Sequence, residues 1–117
     1  MENLEKRVPR GMIVAGDQLH ISHPEPGLQR EILVHSPTMM LVRHEMTKGW
    51  RGTVHQHRHE QMVYVISGCI EITVGGISRK ATTGDSFIVE SNAEHYAVAL
   101  EDSIVLDVFT PPREDYL

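Results

Sequence analysis

From Gln29 onward the chain keeps interrupting itself. Alternating apolar and polar runs are short, and each meets a turn signal before a helix could develop. The sharpest break lies in CIEITVGGISRKAT, residues 69–82, where two alternating runs flank Gly75-Gly76. A two-residue type I′ hairpin needs positive φ at both central positions, which two glycines supply. Ser67-Gly68, Thr83-Gly84-Asp85, Ser91-Asn92 and Glu101-Asp102 read as further turns. Strands are predicted at 30–36, 38–46, 53–57, 61–66, 69–74, 77–82, 86–90, 95–100 and 103–109. No run of about a dozen residues has helical periodicity, apart from a final turn predicted at 112–116. Many short strands at close spacing imply an all-β sandwich or barrel.

Residues 1–30 are less regular. Pro9, Gly11, Gly16, Pro24, Pro26 and Gly27 suggest an N-terminal arm with one short strand near 12–15, ahead of a barrel over 31–117. At 117 residues the chain is expected to be a single domain. A chain of that length buries roughly two-thirds of its unfolded surface, enough for one core. The formal net charge of −5 argues against nucleic acid or an anionic membrane as the main partner. Cys69 is the single cysteine, so no internal disulfide forms and a reducing compartment is expected. The start MENLEKRVPRGM lacks the apolar core of a signal peptide, and no apolar run approaches the ~18 residues of a membrane span. The expected location is the cytoplasm.

VHQHRHEQMV, residues 54–63, holds three of the eight histidines at alternate positions. In a strand, residues two apart share a face, so His55 and His57 project together and can reach one metal ion. A histidine-rich surface strand would show the same H-x-H. His59 shares the parity and is a rival ligand. His20, His23, His35 and His44 have no matching context and read as surface or satisfied core histidines.

The wider spacing is G-x5-H-x-H-x3-Q-x6-G from Gly49 to Gly68, followed by G-x10-H from Gly84 to His95. This resembles the paired motif of the cupin superfamily, G-x5-H-x-H-x3/4-E-x6-G and G-x5-P-x-G-x2-H-x3-N, over roughly residues 38–109. The resemblance implies a single-domain double-stranded β-helix, a jelly-roll barrel, with one divalent metal near a mouth. His55, His57 and His95 would be ligands, with Gln61 in the family's glutamate position. Glu90, Asn92 and Ala99 also depart from the pattern, in a turn and at a strand end. Asn tolerates the left-handed conformation much as Gly does.

The glutamine changes the chemistry. Three neutral imidazoles and an amide leave a divalent ion its full charge, whereas a glutamate would remove one unit. At ~4 Å and an effective dielectric of ~20, one unit changes the attraction to a bound carboxylate by roughly 4 kcal/mol. Such a site favours an anionic ligand. Zn²⁺ or Ni²⁺ are the favoured ions, with Mn²⁺ or Fe²⁺ as alternatives.

SIVLDVFTPPREDYL is the second unusual stretch. Ile104, Leu106 and Val108 share one face, and Val105, Asp107 and Phe109 the other. A strand apolar on both faces is covered on both. Asp107 then points into apolar surroundings, either as a sheet-edge carboxylate with a cation or as a general acid/base. Arg113, past Pro111-Pro112, is either a solvated tail residue or a bidentate clamp for a substrate carboxylate.

HRHEQMVYVISG combined with LDVFTPPREDY resembles the pectin-degradation cupins of the KdgF type. That resemblance implies three His and one Gln as metal ligands: His55, His57, His95 and Gln61. It implies a catalytic Asp107 and Arg113, with Phe109 and Arg113 against the substrate. The implied reaction linearises 4,5-unsaturated monouronates, from pectin or alginate lyases, into open-chain keto acids. Ala97 and Ala99, in register with His95, leave room for a sugar ring. Alternative readings are a metal-dependent dioxygenase, a non-catalytic sugar-acid sensor, and a cupin isomerase acting on another sugar acid. Strands apolar on both faces and an N-terminal arm suggest a homodimer.

Overall fold

Buried residues alternate along the central strands 40–46, 60–67 and 103–110, and that alternation builds the core. The computed structural model describes residues 5–8, 10–17 and 19–117. Residues 1–4, 9 and 18 of the expected arm lie outside the described residues. The strands are β1 (Glu5–Val8), β2 (Gly11–Val14), β3 (His20–Glu25), β4 (Leu28–His35), β5 (Met40–Met46) and β6 (Glu60–Ser67). After them come β7 (Cys69–Val74), β8 (Ile77–Thr82), β9 (Ser86–Val89), β10 (His95–Ala99) and β11 (Ser103–Thr110), then a 3₁₀ turn at Glu114–Tyr116. This is an all-β barrel, as the motif's resemblance implied.

Two sheets carry it. The larger runs β3-β4-β5-β11-β6-β9 and the smaller β10-β7-β8. Strands β1 and β2 pair separately. β11 lies between β5 and β6, antiparallel to both, although it comes last in the chain. On β5 the buried side chains are Met40, Val42, His44 and Met46, and on β11 Ser103, Val105, Asp107 and Phe109. Val63 and Val65 of β6 and Val105 meet Ile70, Ala81 and Ala99 of the smaller sheet in one apolar cluster. A second cluster joins Ile32, Met40, Val42 and Phe109, with Tyr116 against it. Burying each large aliphatic or aromatic side chain is worth roughly 1.5–3 kcal/mol. The expected Gly75-Gly76 hairpin is present, with φ of 56° and 81°. Among the described residues, no helix is long and apolar enough to cross a membrane.

Three expectations need correction. Residues 53–57 form no strand; His55 makes only an isolated bridge with His95. Turn contacts take up that segment's polar groups instead, since the Asn92 N–H donates to the His57 carbonyl at 2.7 Å. Strands β1 and β3 were not expected. β3 carries Pro24, which a sheet tolerates at an edge, and its register shifts between Ser22 and Glu25. β4 starts at Leu28 and β5 at Met40, so the larger sheet draws β3 and the start of β4 from the region read as an arm.

Candidate metal centre

The bridge between His55 and His95 is the first device of the site. It ties the irregular segment before β6 to the start of β10, through N–H···O bonds of 3.0 and 2.9 Å. Asn92, at φ 65°, turns the chain into β10 and holds the His57 carbonyl. Two distant segments thus bring three imidazoles together. One ligand atom from each of His55, His57 and His95 lies within 4.8 Å of the others. Bonds of ~2.0–2.1 Å to one tetrahedral ion would put donors roughly 3.3 Å apart. Modest side-chain movement closes that difference.

Their tautomers follow from their partners. His55 Nδ1 bonds the Thr53 carbonyl at 2.8 Å, His57 Nδ1 the His59 carbonyl at 2.9 Å, and His95 Nδ1 the Ala93 carbonyl at 2.8 Å. A carbonyl only accepts, so each Nδ1 carries the proton and each Nε2 keeps its lone pair. Nε2 of His57 and of His95 is buried without a hydrogen-bond partner. An unpaired buried acceptor costs about 1–3 kcal/mol, and a cation would satisfy it. Outer partners that orient imidazoles this way are typical of metal sites. The donor set therefore fits a divalent ion.

Burial lowers the His57 pKa to about 4, with the Arg113 charge adding to the effect and the His59 carbonyl opposing it. His95 is lowered as well, first by burial. Both stay neutral and ready to ligate at neutral pH. His59 stands outside the cluster. Its carbonyl steadies His57, while its own Nδ1 is buried without a partner.

The imidazoles open onto a cavity of about 300 Å³ between the sheets, also lined by Gln61, Ala97, Asp107, Phe109 and Arg113. That volume is at the lower end of small-molecule sites. His55, His95, Gln61, Asp107, Phe109, Arg113 and Ala97 all line it as expected, and His57 belongs to the cluster itself; Ala99, expected to leave room for a sugar ring, is instead packed in the apolar core. Asp107 is 3% exposed and accepts from Gln61 Nε2 at Oδ1 and from His44 Nδ1 at Oδ2, both at 2.7 Å. With its amide nitrogen committed to Asp107, Gln61 has only Oε1 left for a metal.

Arg113 is folded over the cavity rather than extended into solvent. Its guanidinium carbon lies 4.4 Å from the Tyr116 ring centre and 5.3 Å from that of Phe109. Its Nε and Nη2 donate to the two carboxylate oxygens of Asp115 at 3.0 and 2.8 Å. Burial pulls its pKa down, but the Asp115 hydrogen bond and neighbouring negative charges outweigh it, and the net shift is upward. The fork expected to hold a substrate carboxylate is thus held by a carboxylate of the chain itself.

Sequence reasoning missed Arg30, His44 and Tyr116. His44 is a satisfied core histidine, as read, but it satisfies Asp107. Arg30 donates to its other nitrogen at 3.0 Å and stacks on Tyr116, 3.6 Å from the ring centre. The available signal was parity. His44 sits in line with Met40, Val42 and Met46, a polar residue on an apolar row.

Comparison with known proteins agrees with this geometry. The chain matches the cupin domain family (Cupin_2) over residues 42–109. It is 38% identical over 93 residues to the pectin degradation protein KdgF of Dickeya dadantii (strain 3937), covering 78% of this chain and 84% of that one. The structure of KdgF from Halomonas sp. superposes with a TM-score of 0.85 at 39% identity, covering 92% of this chain and 99% of the other. An RmlC-like cupin from Shewanella frigidimarina NCIMB 400 gives a TM-score of 0.86 at 34% identity, covering 98% and 100%. With the motif, the barrel and these relatives in agreement, the chain belongs to the cupin family, alongside the pectin degradation protein KdgF.

Proposed function

We propose that this cupin opens the ring of 4,5-unsaturated monouronates, the products of pectin or alginate lyases, to give open-chain keto acids. The observation that carries the reading is a cluster of three imidazoles at the wall of one cavity that also holds a buried Asp107 and Arg113. The relationship to KdgF proteins supports the pathway.

The substrate is a cyclic enol ether bearing a carboxylate. Opening it requires a proton at C4, water at C5, and collapse of the resulting hemiketal, which breaks the bond from C5 to the ring oxygen. The water oxygen becomes the C5 ketone, and the ring oxygen stays on C1, which is left as an aldehyde hydrate and loses water to give the aldehyde. His55, His57, His95 and Gln61 Oε1 would hold a divalent ion, Zn²⁺ or Ni²⁺ by preference. When bound, that ion supplies Lewis acidity toward the substrate's oxygens. Asp107 moves protons between water and the ring carbon, worth about 10²–10⁴-fold. Arg113 orients the carboxylate in place of Asp115, and Phe109 and Ala97 bound the apolar side of the ring.

The same reading has a cytoplasmic homodimer. Met62, Tyr64 and Ile66 of β6 and Ile88 of β9 are exposed on the outer face, with Met62 and Ile88 directly opposed. A face of this kind suits a second copy, and sedimentation at a dimer mass checks it.

The test incubates metal-analysed protein with unsaturated galacturonate and with unsaturated mannuronate/guluronate monomers. Alkene absorbance disappears faster than the spontaneous rate. No acceleration with any of Zn²⁺, Ni²⁺, Mn²⁺ or Fe²⁺ would leave a sugar-acid sensor or another isomerase.

A further inference from the structure

A row of four polar side chains crosses four neighbouring strands of the larger sheet. Arg30 lies on β4, His44 on β5, Asp107 on β11 and Gln61 on β6. Arg30 and His44 are directly opposed in register. Asp107 opposes Val42 and Val63, so it reaches His44 and Gln61 on the diagonals. Diagonal neighbours are within reach of long side chains. The three bonds measure 3.0, 2.7 and 2.7 Å.

Each bond has one possible direction. A guanidinium only donates, so His44 Nε2 must accept from Arg30 Nε. The His44 proton is then on Nδ1 and is given to Asp107 Oδ2. A carboxylate accepts at both oxygens, so Gln61 must turn its NH₂ toward Oδ1. Reversing any link would set donor against donor or acceptor against acceptor.

We infer that Asp107 makes Gln61 offer its carbonyl, not its amide nitrogen, to the metal, and that Arg30 and His44 are positioning residues of a hydrogen-bond relay that fix which face of residue 107 donates and which accepts once its carboxylate is replaced by an amide. The inference rests on the reading of the His cluster as a metal centre. It concerns which end of an amide faces that centre.

The relay makes an unusual prediction for Asp107→Asn. With His44 still donating, the oxygen of the substituted amide faces His44 and its NH₂ faces Gln61. Gln61 must then flip, and the metal loses an oxygen ligand. His44 cannot change tautomer to relieve this, because Arg30 donates to its other nitrogen. Removing either upstream residue frees the substituted amide to turn its oxygen back toward Gln61. A second substitution therefore restores what the first removed.

The measurement is Zn²⁺ and Ni²⁺ affinity by competition with a chromophoric chelator, on the full chain. Circular dichroism and a thermal melt confirm folding of each variant. Asp107→Asn is expected to weaken binding by about 10–100-fold. Asp107→Asn with His44→Phe, and Asp107→Asn with Arg30→Met, each recover most of that loss. The two doubles are independent routes, so a folding defect in one leaves the other. An unweakened Asp107→Asn, or doubles that bind no better than the single, overturn the relay. Wild-type protein that binds neither ion overturns the metal centre itself, and the relay with it.

Discussion

Phe109→Ala separates two roles that the site gives one ring. Phe109 lines the cavity, as an apolar wall for a sugar would, but it is only 1% exposed. Its ring meets the Tyr116 ring edge-on at 5.7 Å between centres, and the His57 ring at 6.1 Å. Arg113 lies over it at 5.3 Å. Truncating a buried Phe costs about 3–5 kcal/mol, because the transfer term and the cavity left behind add. In a chain of 117 residues each kcal/mol moves Tm by about 4 °C, so the fall is ~12–20 °C. Phe109→Leu keeps most of the volume and costs under about 1.5 kcal/mol, or ~6 °C. It also removes both edge contacts, so Arg113 and His57 lose a surface that aims them. Calorimetry on the metal-free protein reads the stability, and kcat against KM for Phe109→Leu reads the site. Both a lower kcat and a raised KM are expected. A Phe109→Ala protein melting within ~3 °C of wild type would refute the packing argument.

Gly68→Ala and Gly49→Ala form a matched pair, since both glycines have positive φ, 101° and 93°. A Cβ at Gly68 would meet the Asp102 carbonyl at 2.5 Å and Ser103 Cα at 2.7 Å, whereas Gly49 has nothing within 4 Å. Urea midpoints should show about 1–2 kcal/mol for Gly49→Ala from backbone strain alone, and about 3 kcal/mol or more for Gly68→Ala. Acidification should destabilise the metal-free protein. The folded His57 pKa of about 4 lies below its ordinary 6.5, so the folded state binds fewer protons between those values. Stability is full above pH 6.5 and falls as pH drops toward 4, and a melt series over that window reads the slope. His57→Gln should flatten it. Asp115→Asn removes the carboxylate that competes for Arg113, so KM for an anionic uronate should fall by up to about fivefold, with Tm nearly unchanged because the side chain is 61% exposed. A KM that rises would assign Asp115 to aiming Arg113 instead.

The barrel was legible because a strand's side-chain period is two. Short runs bounded by turn signals marked 40–46, 61–66 and 103–109 as strands, and the structure buries one row of alternate residues on each. The histidine spacing was legible for a different reason. A motif records where the chain must return to one point, here His55 and His57 against His95. What stayed hidden was register between strands far apart in sequence. Asp107 read as a lone carboxylate on an apolar face, since nothing local says that β11 inserts between β5 and β6. Without that insertion His44 and Gln61 have no reason to meet it. The segment 53–57 misled for the converse reason. Its alternation resembles a strand, but its polar groups are taken by Thr53, His59 and Asn92 instead of a ladder.

The glutamine at 61 now has two reasons to be where a glutamate is usual. The first is charge, because a neutral ligand leaves a divalent ion fully attractive to a carboxylate substrate. The second is Asp107, whose Oδ1 lies 2.7 Å from Gln61 Nε2. A glutamate there would set two carboxylates at hydrogen-bond distance, and such a pair holds one proton between them. Asp107 would then be locked to its neighbour and unable to take a proton from water. An amide avoids that conflict, since it donates to Asp107 with one end and keeps an oxygen at the other. Under the proposed function, the choice of ligand and the choice of base are therefore one decision. A cupin that keeps glutamate at this position would have to find its base elsewhere in the barrel.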